Sequence, residues 1–208
     1  MLKIHEYKGF PNPTRIRIAL AEKGLLGRTE FVHVDVLKGE NRRPEFLARN
    51  PMGGVPVLEL EDGTHIAECS AITEYLDHLE GAPTLTGEGA RERAIINMMS
   101  RRAEANLLDA IAIYYHHATP GFGPELETYQ NREWGEKCRE KALATMHYLD
   151  GVLAKQPCIA GDRFTMADNT VVAGLVYADY AKIDVPARLA NLRAWRARIA
   201  QRPSIASS

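Results

Sequence analysis

Cysteine is scarce in this chain: three residues in 208, at Cys69, Cys138 and Cys158. Their odd number and wide spacing exclude a disulfide framework, a zinc knuckle and a Cys-x-x-Cys redox pair. They point to free thiols in a reducing compartment. An excess of either charge is also missing. Lys and Arg number 26 against 27 Asp and Glu, a formal net charge of −1. That balance excludes a global attraction to nucleic acid or anionic lipid. No apolar run is long enough to span a bilayer, and Met1-Leu2-Lys3-Ile4-His5-Glu6 lacks the apolar core of a signal segment. Repeats, low-complexity tracts and metal-ligand clusters are absent too. The expectation is a cytoplasmic protein with neither a nucleic-acid nor a membrane partner, and with no metal.

What is present is an ordinary globular composition, 45% hydrophobic and 25% charged, in a length that suits one large domain or two small ones. The first 80 residues alternate between strand and helix patterns. Lys3–Tyr7 reads as a strand, and Thr14–Lys23 as a helix stopped by Gly24. Glu30–Val36 alternates as a strand and Arg43–Ala48 is a short helix. Pro56–Leu60 and His65–Ile66 form a hairpin around Asp62-Gly63. Cys69–Leu79 is a helix with Ile72, Tyr75, Leu76 and Leu79 on one face. The order βαβαββα is a thioredoxin-like arrangement.

Residues 81–90, from Gly81-Ala82-Pro83-Thr84 to Gly87-Glu88-Gly89, read as a linker. Residues 91–208 are then purely helical: Arg91–His117, Leu126–Leu153, Met166–Tyr180 and Ala187–Ala200. Thr165-Met166-Ala167-Asp168 is a structural capping box, with Phe164 opening a staple whose usual apolar partner is replaced by Asn169. The fold class is α/β followed by all-α, and a cleft between two such domains favours a ligand site.

Gly53-Gly54-Val55-Pro56-Val57-Leu58 carries the strongest local signal. A proline opening a strand suggests a special turn, including a cis bond. Val55, pushed to an extended conformation, keeps its N–H and C=O free for an extended peptide. The helix start after Glu68 offers N–H groups to an anion. Together they suit a small peptide bearing an amine and carboxylates.

The run from Arg15-Ile16-Arg17-Ile18-Ala19-Leu20-Ala21-Glu22-Lys23-Gly24-Leu25 through Asn50-Pro51-Met52-Gly53-Gly54-Val55-Pro56-Val57-Leu58 resembles cytosolic glutathione transferases. Glu68-Cys69-Ser70-Ala71-Ile72 and Ala160-Gly161-Asp162-Arg163-Phe164-Thr165-Met166-Ala167-Asp168 extend the resemblance over nearly the whole chain. Tyr115-His116-His117-Ala118-Thr119-Pro120-Gly121, Tyr129-Gln130-Asn131 and Glu133-Trp134-Gly135 are most similar to the atypical yeast-type members and their bacterial relatives. The resemblance implies the glutathione transferase fold, a homodimer, a role in detoxification, and glutathione as co-substrate for attack on small, largely apolar electrophiles. It also implies residue roles. Val55 pairs with the cysteinyl backbone beside a cis Pro56, and Glu68 holds the γ-glutamyl ammonium. Cys69 offers its N–H to the γ-glutamyl carboxylate. Asn41, flanked by Lys38 and Arg42, lies near the glycyl carboxylate. Two other functions stay open: glutathione-dependent reduction of peroxides or disulfides, and non-catalytic binding of glutathione or apolar ligands.

The first strand–helix loop, Tyr7-Lys8-Gly9-Phe10-Pro11-Asn12-Pro13-Thr14, lacks the Ser or Cys that most members place there, and its Tyr7 sits early. Glutathione's thiol titrates near about 8.5 when free, and lowering it by roughly two units takes about 2.7 kcal/mol. Asn12 and the N-terminal amides of the first helix are the candidates for that work. His117 is the second catalytic candidate, holding a water that accepts or stabilises the thiol proton. Arg102, Asn106, Asp109, Ile113 and His117 follow helical steps to one polar face. The plainer reading is that His116 and His117 complement a helix C-terminus. Phe10 with Tyr114 or Tyr115 is expected to line the second-substrate pocket.

Overall fold

The computed structural model describes residues 2–206, which form two compact units. Residues 2–86 with 203–206 make the first and residues 87–202 the second. The first unit holds a four-stranded sheet in the order β2-β1-β3-β4. Here β1 is Leu2–Glu6, β2 Thr29–His33, β3 Val57–Glu59 and β4 His65–Ile66. β1 and β2 are parallel, and the other pairs are antiparallel. Helices α1 (Pro11–Glu22) and α3 (Cys69–Leu79) pack together, and α2 is the short Pro44–Leu47. Ile16, Leu20, Ile72 and Leu76 are fully buried with Ile4 and Leu58 of the strands. A second apolar cluster joins Phe46 of α2 to Val34, Val57 and Val55. The thioredoxin-like arrangement read from the sequence is the observed one.

Several boundaries differ from the sequence expectation. α1 begins at Pro11 rather than Thr14, because a proline in the first turn brings the right φ and loses an N–H that would go unpaired anyway. The strand expected to reach Val36 ends at His33. Asp35 then accepts the Lys38 N–H and turns the chain into a tight 3₁₀ turn. The expected linker is pinned at its start. Asp77 of α3 is fully buried and accepts from the Leu85 N–H, the Thr86 N–H and the Thr86 hydroxyl. Lys23 Nζ lies 3.2 Å from Asp77 Oδ1 and donates to the Asp77 and Ala82 carbonyls. Burial alone would raise the Asp77 pKa, but these donors hold it below the usual carboxylate value. The last helix, α9 (Pro203–Ala206), packs on α1 of the first unit, with Ser204 bonded to Glu22. It was expected to stay with the other helices.

The second unit is all-helical: α4 (Ala90–Ala103), α5 (Asp109–Ala118), α6 (Arg132–Leu153), α7 (Met166–Tyr180) and α8 (Ala190–Ile199). The expected single helix over 91–117 is interrupted by a π-helical turn at Glu104–Leu108. A π turn admits an extra residue, so Arg102 and Asn106 do not continue in register to Asp109 and His117. The predicted polar stripe is therefore broken. The expected helix over 126–153 starts only at Arg132, where Asn131 caps it by accepting the Trp134 N–H. Thr165 and Asp168 form the full capping box. The Phe164 ring, which lacks an apolar staple partner, is covered by the Arg202 guanidinium 4.4 Å away.

Two predictions follow from these contacts. Asp168 accepts from the Ile159 N–H, the Thr165 N–H and hydroxyl, and the Trp195 indole, all buried. Asp168→Ala orphans those donors and lowers unfolding stability by about 3 kcal/mol, measured by urea titration. Glu59 faces Lys3, His5 and His65 across three strands. Hydrogen bonds from His5 and then Lys3 hold its carboxyl down to about 2, from 4.5. A depressed carboxyl stabilises the fold above its unfolded pKa and loses that contribution as pH falls toward 2. Glu59→Gln therefore costs about 1 kcal/mol at pH 7 and progressively less below pH 4. An equal cost at both values would show that its charge is not what matters.

Candidate functional site

In the first unit Val55, Pro56, Glu68, Cys69 and Asn12 stand on three turns. The first is 50–56. Asn50 is buried, accepts the Met52 N–H on Oδ1 and donates from Nδ2 to the Gly54 carbonyl. Asn41, also buried, donates to the Gly53 carbonyl at 2.7 Å. Gly53 has φ +67, and a Cβ there would sit 3.0 Å from the Asn41 carbonyl, so glycine is required. Fixed this way, the turn delivers Val55 to a cis bond with Pro56. Val55 packs on the Phe46 cluster. Among the described residues its backbone N–H and C=O make no hydrogen bond, so an extended peptide can pair there.

The second turn joins β4 to α3. Glu68 is the N-cap of α3, with φ 65 and ψ 122, a strained backbone for a non-glycine residue. Its side chain is exposed and caps nothing. The first intrahelical bond runs from Ile72 N to Glu68 O. The Ser70 and Ala71 amides, at the start of α3, thus remain for an anion.

The third turn is the start of α1. The Phe10 N–H is spent on the Tyr7 carbonyl, and the Thr14 N–H on the Phe10 carbonyl. Pro11 and Pro13 have none. The expected group of N-terminal amides is therefore a single one, that of Asn12. The exposed Asn12 side chain accepts from Arg15 Nη1 at 3.2 Å on Oδ1, which turns Nδ2 the other way. Arg15 is itself buried. Cys69 Sγ donates to the Asn12 carbonyl at 3.4 Å, linking the second turn to the third. The Phe10 ring stacks 4.3 Å from Tyr7.

Lys38 stands apart from these three. It is exposed and paired with Asp35 at 2.9 Å, with its pKa raised by that pair. Arg42 reaches toward the Met52 carbonyl.

In the second unit the two histidines differ. His117 Nδ1 accepts the Asn131 N–H at 3.0 Å, so the neutral ring carries its proton on Nε2. His116 has both nitrogens occupied: Nδ1 lies 2.7 Å from Glu127 Oε1, and Nε2 lies 3.1 Å from the Tyr177 hydroxyl. Burial pushes the Tyr177 hydroxyl well above its ordinary pKa. Tyr115 packs on His116, Phe122 and Tyr177, and donates to the Gly121 carbonyl. The Tyr114 ring faces the Arg139 guanidinium at 5.9 Å.

Sequence reasoning missed Arg15, Asn50 and Glu127. A lone arginine within an apolar helix face was the signal for the first, and Asn-Pro for the second. Glu127 lies in a loop that had been read as helix, so nothing marked it. Among the described residues no three His, Cys, Asp or Glu side chains are grouped to hold a metal, and no helix is long and apolar enough to cross a membrane.

Comparisons with known proteins identify the family. Residues 11–79 match the family model for the glutathione S-transferase N-terminal domain, and residues 106–203 that for the C-terminal domain. Glutathione S-transferase 2 of Saccharomyces cerevisiae is 56% identical over 202 residues, covering 97% of this chain and 87% of that protein. The crystal structure of Gtt2 from Saccharomyces cerevisiae superposes with a TM-score of 0.97 at 55% identity, covering 99% of each chain. A glutathione S-transferase domain-containing protein of Marinobacter aquaeolei superposes with a TM-score of 0.96 at 57% identity, covering 98% of this chain and 99% of the other. The chain belongs to the glutathione S-transferase family.

Proposed function

We propose that this glutathione transferase adds glutathione to small, largely apolar electrophiles, in the cytoplasm, as part of detoxification. The observation that carries the reading is the unpaired backbone edge of Val55, held open by Asn41, Asn50 and Gly53. Val55 and Pro56 take the cysteinyl backbone, Glu68 the γ-glutamyl ammonium, and the Cys69 amide the γ-glutamyl carboxylate. Asn41 serves the site by fixing the turn, with Lys38 as a peripheral charge toward the glycyl end.

The thiol is activated by Asn12. Its backbone N–H and outward-turned Nδ2 are two donors for a sulfur anion. A hydrogen bond to a charged group is worth about 1.5–3 kcal/mol. One such bond therefore approaches, and two exceed, the roughly 2.7 kcal/mol that a two-unit drop requires. His117 contributes as a donor. With Nδ1 engaged by Asn131, its Nε2–H steadies a water that donates to the thiolate, and the thiol proton leaves to solvent. Phe10, Tyr114 and Tyr115 supply apolar surface for the electrophile. The thiolate sulfur then bonds to the electrophilic carbon, and the leaving group departs with its electron pair or the adduct is protonated.

The exposed apolar side chains of Ile95, Met98 and Met52 support self-association as a homodimer, which light scattering measures directly. Calorimetric titration with glutathione, followed by aryl-halide conjugation and hydroperoxide reduction assays, tests the function. Conjugation is expected to dominate. Dominant peroxide turnover would favour glutathione-dependent reduction, and no glutathione binding would overturn both.

Two substitutions sharpen the test. Glu68→Gln weakens glutathione binding about tenfold, by removing a charge-assisted bond to the ammonium. His117→Ala lowers turnover and raises the pKa of the bound thiol. If both stay unchanged, His117 has no part in the reaction.

A further inference from the structure

We propose that Cys69 is a positioning residue for thiol activation: its S–H holds the Asn12 carbonyl and so fixes the turn that meets the sulfur. The inference rests on the function proposed above and assigns the Cys69 side chain a task separate from that of its backbone amide.

With prolines at 11 and 13, and with the Phe10 and Thr14 amides spent, Asn12 alone presents a first-turn N–H. The positive end of the helix therefore acts through one residue, and a small displacement of that residue removes it. Asn12 has two arms tied down. Arg15, 3% exposed, holds Oδ1, and Cys69, 6% exposed, holds the carbonyl at 3.4 Å. The N–H and Nδ2 remain for a ligand.

The Cys69 side chain is not needed at the carboxylate. Cys69 is the first residue of α3, where the Ser70 and Ala71 amides can take an anion without its side chain. A thiol is also a weak donor to a carboxylate. Sulfur lies farther from Cβ than a hydroxyl oxygen does, which suits the longer reach to a carbonyl on another helix. The positive φ of Glu68 sets the direction in which Cys69 leaves the turn. The two halves of the site, one for the γ-glutamyl group and one for the sulfur, are thereby coupled through one S–H···O=C bond.

The experiment follows the ultraviolet absorbance of bound glutathione thiolate against pH in the unmodified protein, Cys69→Ala and Cys69→Ser. In parallel, S-methylglutathione, which has no ionisable thiol, is titrated calorimetrically as a measure of peptide binding alone. Losing the bond is expected to raise the bound-thiol pKa by about 0.5–1 pH unit in Cys69→Ala, the equivalent of one neutral hydrogen bond. Cys69→Ser is expected to fall between the two, and S-methylglutathione affinity to stay within about twofold. A weakened S-methylglutathione affinity with an unchanged thiol pKa would overturn the proposal, because the side chain would then serve the γ-glutamyl carboxylate. Unchanged values for both would overturn it as well. A missing thiolate band in the unmodified protein would instead remove the function on which it rests. Circular dichroism and S-methylglutathione binding show whether each variant is folded.

Discussion

Prolines at positions 11 and 13 strip two amides from the first turn of α1, and neighbouring carbonyls take two more, at Phe10 and Thr14. What remains of the helix's positive end is the Asn12 N–H. A chain without Tyr, Ser or Cys at the usual place on this loop thus concentrates its sulfur chemistry on one asparagine. The neighbouring structure holds that asparagine still. Arg15 is buried beside it, Cys69 reaches across from α3, and Ile16, Ile18 and Leu20 sink the rest of α1 into the core.

The peptide-binding side follows a different logic. It needs no reactive side chain, only backbone held in unusual conformations. Gly53 at positive φ, the cis bond before Pro56 and Glu68 at positive φ are three such points within sixteen residues. Each is held from outside: Gly53 through Asn41, Val55 through the Phe46 cluster, and Glu68 by the helix that starts after it. Strain at Glu68 is held in place by the packing of α3 on α1.

Much of this was legible in the sequence. Hydrophobic periodicity marked α3 with its observed ends, and Thr165-x-x-Asp168 marked the start of α7 with a cap that the structure contains in full. Val55-Pro56 marked the cis turn. What stayed hidden depends on tertiary contacts. The π turn at Glu104–Leu108 has no compositional marker and breaks a stripe that counted residues at an even pitch. Residues 126–131, free of glycine and proline, pass for helix in the sequence, yet Glu127 and Gln130 spend their side chains on loop backbone and on His116. The choice between His116 and His117 was likewise open, since only the partners of each ring nitrogen distinguish them. Asn12 was named from its loop position, but Pro11 and Pro13 could be recognised as helical, and their missing amides counted, only once α1 was seen to start at Pro11.

The central claim is that glutathione's sulfur is stabilised at the start of α1 by Asn12 while its backbone is held at Val55. A crystal structure with glutathione bound measures this directly. The account predicts the sulfur within about 3.5 Å of the Asn12 backbone nitrogen or Nδ2, near the outer limit of a hydrogen bond to a large anion. It also predicts the cysteinyl backbone paired with Val55 and the γ-glutamyl carboxylate on the first amides of α3. A sulfur turned away from Asn12, with the peptide still seated on Val55, would contradict it.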